Sequence, residues 1–280
     1  MSLPLPTSLT PSKVSAFCDC ALAFRFSAID RLAEPPSAVA AKGSVVHRAL
    51  ELLFWEEPRG RRSLAAALAK LGRASAEVLG AGEYADLALS DDERADLVAD
   101  AGGLVRGYFE LEDPDTVNVV GIELVLEANI GGLRLRGIID RLELDEDGGL
   151  VVTDYKTGRP PAVNFEAGRL AGVHFYAFLC EQVLGRRPAR VQLLHLREPL
   201  AISTVPTEQS VRGLGRRAQA VWAAVARACE HDDFRPRPGR LCDWCGFKPY
   251  CPAWGGDPGL ARVGAGVAGV AGVAELAATA

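Results

Sequence analysis

The sequence predicts an α/β fold in which helices flank a central sheet of mixed strand direction. Two patterns point there. Three successive β-alternating segments lie between residues 117 and 158, among long stretches of helical apolar spacing, and after them comes the order helix, strand, strand, helix. A third observation fixes the middle of the sheet: the run Asp145-Glu146-Asp147-Gly148-Gly149 between two strand-like arms predicts a β-hairpin. At 280 residues the chain can bury a full core as one large domain.

Thr10-Pro11 opens the first helix as a cap followed by proline at the first helical position. Val14, Phe17, Ala21 and Phe24 follow at helical spacing. Cys18 and Cys20 fall inside that helix, about 200° apart around its axis. Glu34-Pro35-Pro36 separates it from a second helix that begins near Gly43. That helix carries His47 on or beside its apolar face, near Val46, Leu50 and Glu51. A lone histidine in such a place is most often a satisfied core residue. Leu64–Leu79 and Asp91–Leu111 read as two more helices. From Thr116 the pattern changes, and Val117–Ile130 alternates and is rich in β-branched residues. Glu123 within it reads as an exposed charge first and a secondary acid second.

The hairpin follows. Its first arm runs from Leu133 to Asp140 and its second from Leu150 to Gly158. Residues 140 and 154 are equidistant from Asp147, so an odd loop centred there sets the two carboxylates opposite each other, Cβ atoms ~5 Å apart. Asp154 and Lys156 are two apart on a strand and share a face. With 36 acids and five lysines in the chain, an acid two before a lysine is weak evidence alone. Its place at a strand end, opposite an Asp that follows Ile138-Ile139, adds weight. The chain otherwise prefers Arg, so a Lys here points to a need for a compact ammonium. Two carboxylates suit a hard divalent cation such as Mg²⁺ or Mn²⁺ acting on phosphate, with the Lys orienting water or neutralising the oxyanion. A cross-strand Asp–Lys pair with no catalytic role is the plainer alternative. A slip of one residue in the hairpin turns Asp140 to the other face and dissolves the site.

Helical spacing returns from Phe165 to Leu184, holding His174, Tyr176 and Cys180. Arg190–Leu196 and Leu200–Val205 read as strands, and Glu208–Cys229 as a long helix. After Asp232 the composition shifts to Pro, Arg and Cys. Cys242-x2-Cys245-x5-Cys251-Pro252 offers three thiolates to a soft metal that needs a fourth, and both Zn²⁺ and a four-iron cluster take four. Residues 256–280, a Gly-Ala-Val near-repeat, cannot pack a core and read as a disordered tail or weak helix.

A net charge of −5 excludes a generic nucleic-acid coat but not a basic cleft. Arginines cluster at 59, 61 and 62; at 186, 187 and 190; at 212, 216 and 217; and at 235, 237 and 240. Each cluster alone reads more readily as a solvated face than as a phosphate contact. Seven cysteines is an odd number for a disulfide framework. No signal-peptide pattern or long apolar span is evident, so a cytoplasmic location without membrane contact is expected. The Gly-x-x-x-x-Gly-Lys-Ser/Thr phosphate loop of a helicase motor does not occur.

Gly137-Ile138-Ile139-Asp140-Arg141-Leu142, followed by Asp154-Tyr155-Lys156-Thr157-Gly158, resembles the core signature of RecB-type exonucleases in the PD-(D/E)xK superfamily, whose fold is restriction-endonuclease-like. Gly43-Ser44-Val45-Val46-His47 resembles the helical Gly-x-x-x-His element of that family. The resemblance implies that Asp140, Asp154 and His47 bind metal and that Lys156 is catalytic. It also implies a helix with Gln and Tyr four apart near DNA. Tyr176 fits, Gly172 stands in place of Gln, and His174 is the nearest polar candidate. Glu143 stands where many relatives have Asp. The cysteine spacing resembles iron–sulfur members, among them AddB-type subunits and CRISPR-adaptation nucleases, in which one Cys precedes the nuclease fold and three follow. That implies a [4Fe–4S] cluster on Cys20, Cys242, Cys245 and Cys251, with Zn²⁺ as the alternative metal and Cys18 as the other candidate for the first ligand. Such a cluster would join the N- and C-terminal segments. Cys180 and Cys229 read as buried bystanders. The likeness covers residues 8–253, with 56–115 as a helical insertion and 235–253 as the cysteine segment. The implied activity is metal-dependent, exonuclease-like hydrolysis of DNA in repair or recombination, with any helicase on a separate chain. CRISPR-adaptation trimming and a non-catalytic DNA-binding scaffold are the other outcomes, and scaffold members typically lose an acid or the Lys.

Overall fold

The computed structural model describes residues 2–160 and 166–261. The Phe165 start expected for one helix, and the tail from residue 262 onward, lie outside the described residues. The chain divides into two compact units: Met1–Pro35 with Asn129–Leu135 and Arg216–Ala280, and Pro36–Ala128 with Arg136–Gly215.

The larger unit holds the sheet. Strands β1 (Asn118–Ile130), β2 (Leu133–Leu144), β3 (Leu150–Lys156), β4 (Arg190–His195) and β5 (Leu200–Thr204) lie side by side in sequence order, the tip of the β1–β2 hairpin belonging to the smaller unit. Only two residues, Gly131 and Gly132, connect β1 to β2. Both have positive φ (55° and 84°), which a tight hairpin turn requires and which glycine adopts without a Cβ penalty. β2 pairs antiparallel with β3, β3 parallel with β4, and β4 antiparallel with β5. The one parallel pair needs a crossover, and α6 (Glu166–Leu184) lies within it.

Three helices of this unit, α3 (Ala38–Glu56), α4 (Leu64–Leu79) and α5 (Asp91–Leu111), share one core. Val45, Val46, Leu50 and Leu53 of α3 pack with Leu71 of α4, Leu104 and Tyr108 of α5, and Tyr155 and Leu194 of the sheet. Residues 56–115 therefore pack α4 and α5 into the same core as α3 and the sheet. Ser90 starts α5 with a capping box, its hydroxyl accepting from the Glu93 N–H while the Glu93 carboxylate accepts from the Ser90 N–H. α3 begins five residues before the expected Gly43. A Cβ at Gly43 would lie 3.1 Å from Thr157 Oγ1, so this glycine marks close packing against the end of β3 and not a helix start.

In the smaller unit, Thr10 caps α1 (Pro11–Asp19), its hydroxyl accepting from the Lys13 N–H. Cys20 was expected inside this helix and lies outside it. The helix stops at Asp19, Cys20 turns extended (φ −158°, ψ 108°), and a new helix, α2 (Ala21–Phe24), continues into a π-turn at Arg25–Ile29. Arg25 is buried there and pairs with Asp30 and Asp232, which holds the turn against the last residues of α7 (Glu208–His231). Among the described residues, no helix is long and apolar enough to cross a membrane.

Candidate active site

The candidate site lies wholly in the larger unit and starts from a hairpin register. Arg141 pairs with Thr153, Leu142 with Val152, Glu143 with Val151 and Leu144 with Leu150. The paired ladder ends at Arg141 and Thr153, and Asp140 and Asp154 are the next residue on each strand beyond it, as an odd loop centred on Asp147 requires. Asp145 locks that loop: its N–H donates to the Gly149 carbonyl, and its carboxylate accepts from the N–H groups of Asp147 and Gly149. Apolar side chains buried on both sides of these strands oppose a one-residue slip.

Tyr155, the residue between Asp154 and Lys156, ties the site together through its backbone. Its N–H donates to Asp140 Oδ2 at 2.7 Å. Its carbonyl lies 3.1 Å from His47 Nε2. A carbonyl only accepts, so Nε2 carries a proton, and in the neutral ring Nδ1 is then the acceptor. Nδ1 lies 3.6 Å from Asp140 Oδ2, an ion pair when the ring is protonated and a pair of facing acceptors when it is neutral. A cation between them resolves that arrangement, which is how this donor set fits a divalent metal. Burial first, then the negative charge of Asp154, raises the Asp140 carboxyl above the usual carboxylate range, against the pull of His47. Asp154 is 5% exposed; its Oδ2 accepts no hydrogen bond from the described residues and meets the Lys156 ammonium as an ion pair.

A second layer supports this backbone. The Arg141 guanidinium, wholly buried, donates to the Tyr155 hydroxyl (3.0 Å), the Tyr108 hydroxyl (3.1 Å) and Thr153 Oγ1 (3.2 Å), and pairs with Glu112 and Glu143. Glu143 thus belongs to this buried network. Sequence reading missed Arg141. Its only signal was an arginine in a strand that is otherwise rich in Leu and Ile.

Glu123 departs from its expectation as an exposed charge. It is half-buried, and its carboxylate lies with His47 and Asp140 so that one ligand atom of each falls within 4.8 Å of the others. Burial and then the Asp140 charge push its carboxyl up to about 7. Tyr176 on α6 packs against the bare Cα of Gly137, and its hydroxyl is held far above its ordinary range by burial and by the charges of Asp154, Asp140 and Glu123. It borders the acidic cluster. His174, one side of α6 away, has a buried Nδ1 with no hydrogen bond among the described residues, and burial lowers its pKa, which keeps it neutral.

The arginine at 62 is not part of a solvated face. It is buried and donates to the carbonyls of Glu57, Pro114 and Val117. Arg212 pairs with Glu208, and Arg235 with Asp233.

In the smaller unit, Cys20, Cys242, Cys245 and Cys251 line one cavity of about 460 Å³. The Cys245 thiol is raised by burial and also by the other three sulfurs, against a bond from the Phe247 N–H. The Arg237 N–H donates to Cys20 Sγ and the Gly239 N–H to Cys242 Sγ, each at 3.4 Å. Cys18 does not line the cavity. Its carbonyl accepts from Arg237. Cys180 and Cys229 are buried, and burial pushes the Cys180 thiol up to about 12.

A family model described as the PD-(D/E)XK nuclease superfamily matches residues 8–252. No match was found among curated proteins. Among solved structures, the chain is similar to that of a candidate exonuclease from Eubacterium rectale, with 11% identity, 85% of this chain and 86% of that one covered, and a TM-score of 0.53. The structure of the protein SSO0001 aligns at 12% identity over 90% and 89% of the two chains, with a TM-score of 0.38.

Proposed function

From its membership of the PD-(D/E)XK nuclease superfamily, to which the chain belongs, we propose that it is a Mg²⁺- or Mn²⁺-dependent nuclease that hydrolyses phosphodiester bonds of DNA. The observation that carries this reading is Asp140 and Asp154 on adjacent strands just beyond the last paired residues of the hairpin, with His47 Nδ1 near one carboxylate and Lys156 paired to the other. Asp140, Asp154 and His47 would hold the cation. When bound, it supplies Lewis acidity toward the scissile phosphate and a lowered pKa for water. Lys156, about a third exposed and anchored by Asp154, faces the opening with an ammonium that orients a water or offsets charge on a phosphate oxygen. Tyr155 fixes the positions of Asp140 and His47 through its backbone, and Tyr176 closes one side of the acidic cluster.

The same reading assigns a structural [4Fe–4S] cluster to Cys20, Cys242, Cys245 and Cys251. One feature supports it: backbone N–H groups point at three of the sulfurs, as they do around iron–sulfur centres. DNA repair or recombination, with a helicase on a separate chain where ends must be unwound, is the setting in which such a nuclease would act.

The test incubates anaerobically purified protein with end-labelled single- and double-stranded DNA and Mg²⁺ or Mn²⁺, beside Asp154→Ala and Lys156→Ala. Metal-dependent loss of DNA in the wild type, reduced at least about 100-fold in each variant, is expected for groups that act in the transition state. Equal DNA loss in all three proteins would refute the assignment.

A further inference from the structure

The cysteine segment sorts its aromatic side chains into two sets. Phe247 is buried with its ring 5.6 Å from that of Phe26, which Tyr250 meets at 5.9 Å. Trp244 and Trp254 stay outside, 87% and 54% exposed. Trp244 is the most exposed large apolar side chain among the described residues. An indole in water forgoes a large area of burial, and aromatics of this kind concentrate where a partner covers them. Trp244 shares the 3₁₀-helix Arg240–Trp244 with Leu241, and side chains three apart eclipse in such a helix. Leu241 is 64% exposed, so the two form one outward ridge. Leu241 and Trp254 both line the cavity of the four cysteines, which links the ridge to the second tryptophan.

The charge around these rings is positive. From Arg235 to Trp254 the chain has four cations, Arg235, Arg237, Arg240 and Lys248, against one acid, Asp243, in a protein of net charge −5. Arg235 is paired with Asp233, and Arg237 donates to the Cys18 carbonyl. Arg240 opens the ridge helix, is exposed, and has no hydrogen bond or ion pair among the described residues. The Lys248 ammonium lies 4.8 Å over the Trp254 ring, a cation held against an aromatic face. The cavity wall adds two acids, Asp19 and Glu34, but the outward ridge carries only Asp243.

Aromatic faces set among cations match a chain of bases and phosphates. In a duplex each base is already stacked on both faces, whereas an unpaired strand offers them to a ring. An apolar protein surface laid here would bury the Arg240 and Lys248 charges without a partner. We propose that Trp244 and Trp254, with Leu241, Arg240 and Lys248, form a contact surface for single-stranded DNA on the smaller unit. Bases stack on the two indoles, and phosphates meet Arg240 and Lys248. The proposal rests on the nuclease reading for its ligand and deepens it by naming the strand state: DNA engages this surface unpaired.

The test titrates anaerobically purified protein, with no added divalent cation, against a labelled oligothymidine strand and a labelled duplex of the same length, read by fluorescence anisotropy. The strand should bind more tightly than the duplex. Trp244→Ala should weaken strand binding about 5- to 100-fold, as loss of a stacked base does, and leave duplex affinity within about twofold. Trp244→Phe keeps a ring and should recover most of the loss. Arg240→Gln should reduce the log–log salt slope of strand binding by about 0.7, one phosphate contact, and Trp244→Ala should leave that slope unchanged. Unchanged strand affinity in the Trp244→Ala, Trp254→Ala double variant, or equal loss for strand and duplex, overturns the proposal. A blue shift of tryptophan emission on phosphatidylglycerol vesicles that depends on Trp244, without any effect on strand binding, overturns it in favour of a lipid surface. Strand binding that depends on Trp244 in a protein that cleaves no DNA with Mg²⁺ or Mn²⁺ keeps this surface and removes the nuclease reading. Cleavage that persists while Trp244 proves inert does the reverse.

Discussion

Tyr155 acts mainly through atoms that its side chain does not name. Its N–H holds Asp140 and its carbonyl holds His47, while its hydroxyl is held by Arg141. An error in the ring's position would therefore propagate to both Asp140 and His47. Replacing Arg141 by Met leaves Glu112 and Glu143 without their partner in a buried site. The expected cost is about 3–5 kcal/mol of stability, read by urea unfolding. A second prediction concerns pH. The folded-state carboxyl of Glu123 is raised to about 7, so the folded chain holds that proton more tightly than the unfolded one. Its stabilising contribution is complete below about pH 4.5 and is lost as pH rises through 7. In chelated protein, Glu123→Gln should match the wild type at pH 4 and exceed it at pH 8. Thermal melts at the two pH values check both. Asp140, Asp154 and Lys156 were legible in the sequence because a strand puts every second residue on one face. Arg141 and Glu123 were not, since their surroundings come from contacts with α5 and from a left-handed residue at 123 inside β1.

Among elements, the hairpin and α3 carry the site. The five-residue loop sets the register, and the register brings Asp140 and Asp154 to the end of the paired ladder on adjacent strands. α3 brings His47 to the strand end because Gly43 admits close approach and because Val46, Leu50 and Leu53 fasten the helix to α4 and α5. Leu50→Ala should cost about 2–5 kcal/mol. It should also weaken Mn²⁺ affinity, because His47 lies one turn away; denaturation and calorimetry measure the two effects. The extents of α4 and α5 were readable from apolar spacing. The start of α3 was not, because Gly43 resembles a boundary when seen without Thr157. The break at Cys20 escaped for a similar reason: helical spacing continues through it, and only packing shows that the chain turns extended there.

At the scale of the whole molecule, sequence-distant cysteines come to one cavity in the smaller unit. Cys245→Ser should abolish the visible absorption of anaerobically purified protein and its iron and sulfide content, and lower the melting temperature. Cys18→Ser and Cys180→Ser should leave all three unchanged, because neither residue lines the cavity. Iron content at wild-type level in Cys245→Ser would exclude the cluster assignment. The sequence by itself determined the alternation of helices and strands, the hairpin and its odd loop, and the face shared by Asp154 and Lys156, because these follow from local periodicity and turn chemistry. Only the tertiary structure decided that Glu123 points at His47 and Asp140, that Arg141 holds Tyr155 from below, and that Cys20 and not Cys18 meets the C-terminal thiols. Those outcomes depend on close packing between residues far apart in the chain, and no local pattern encodes such distances.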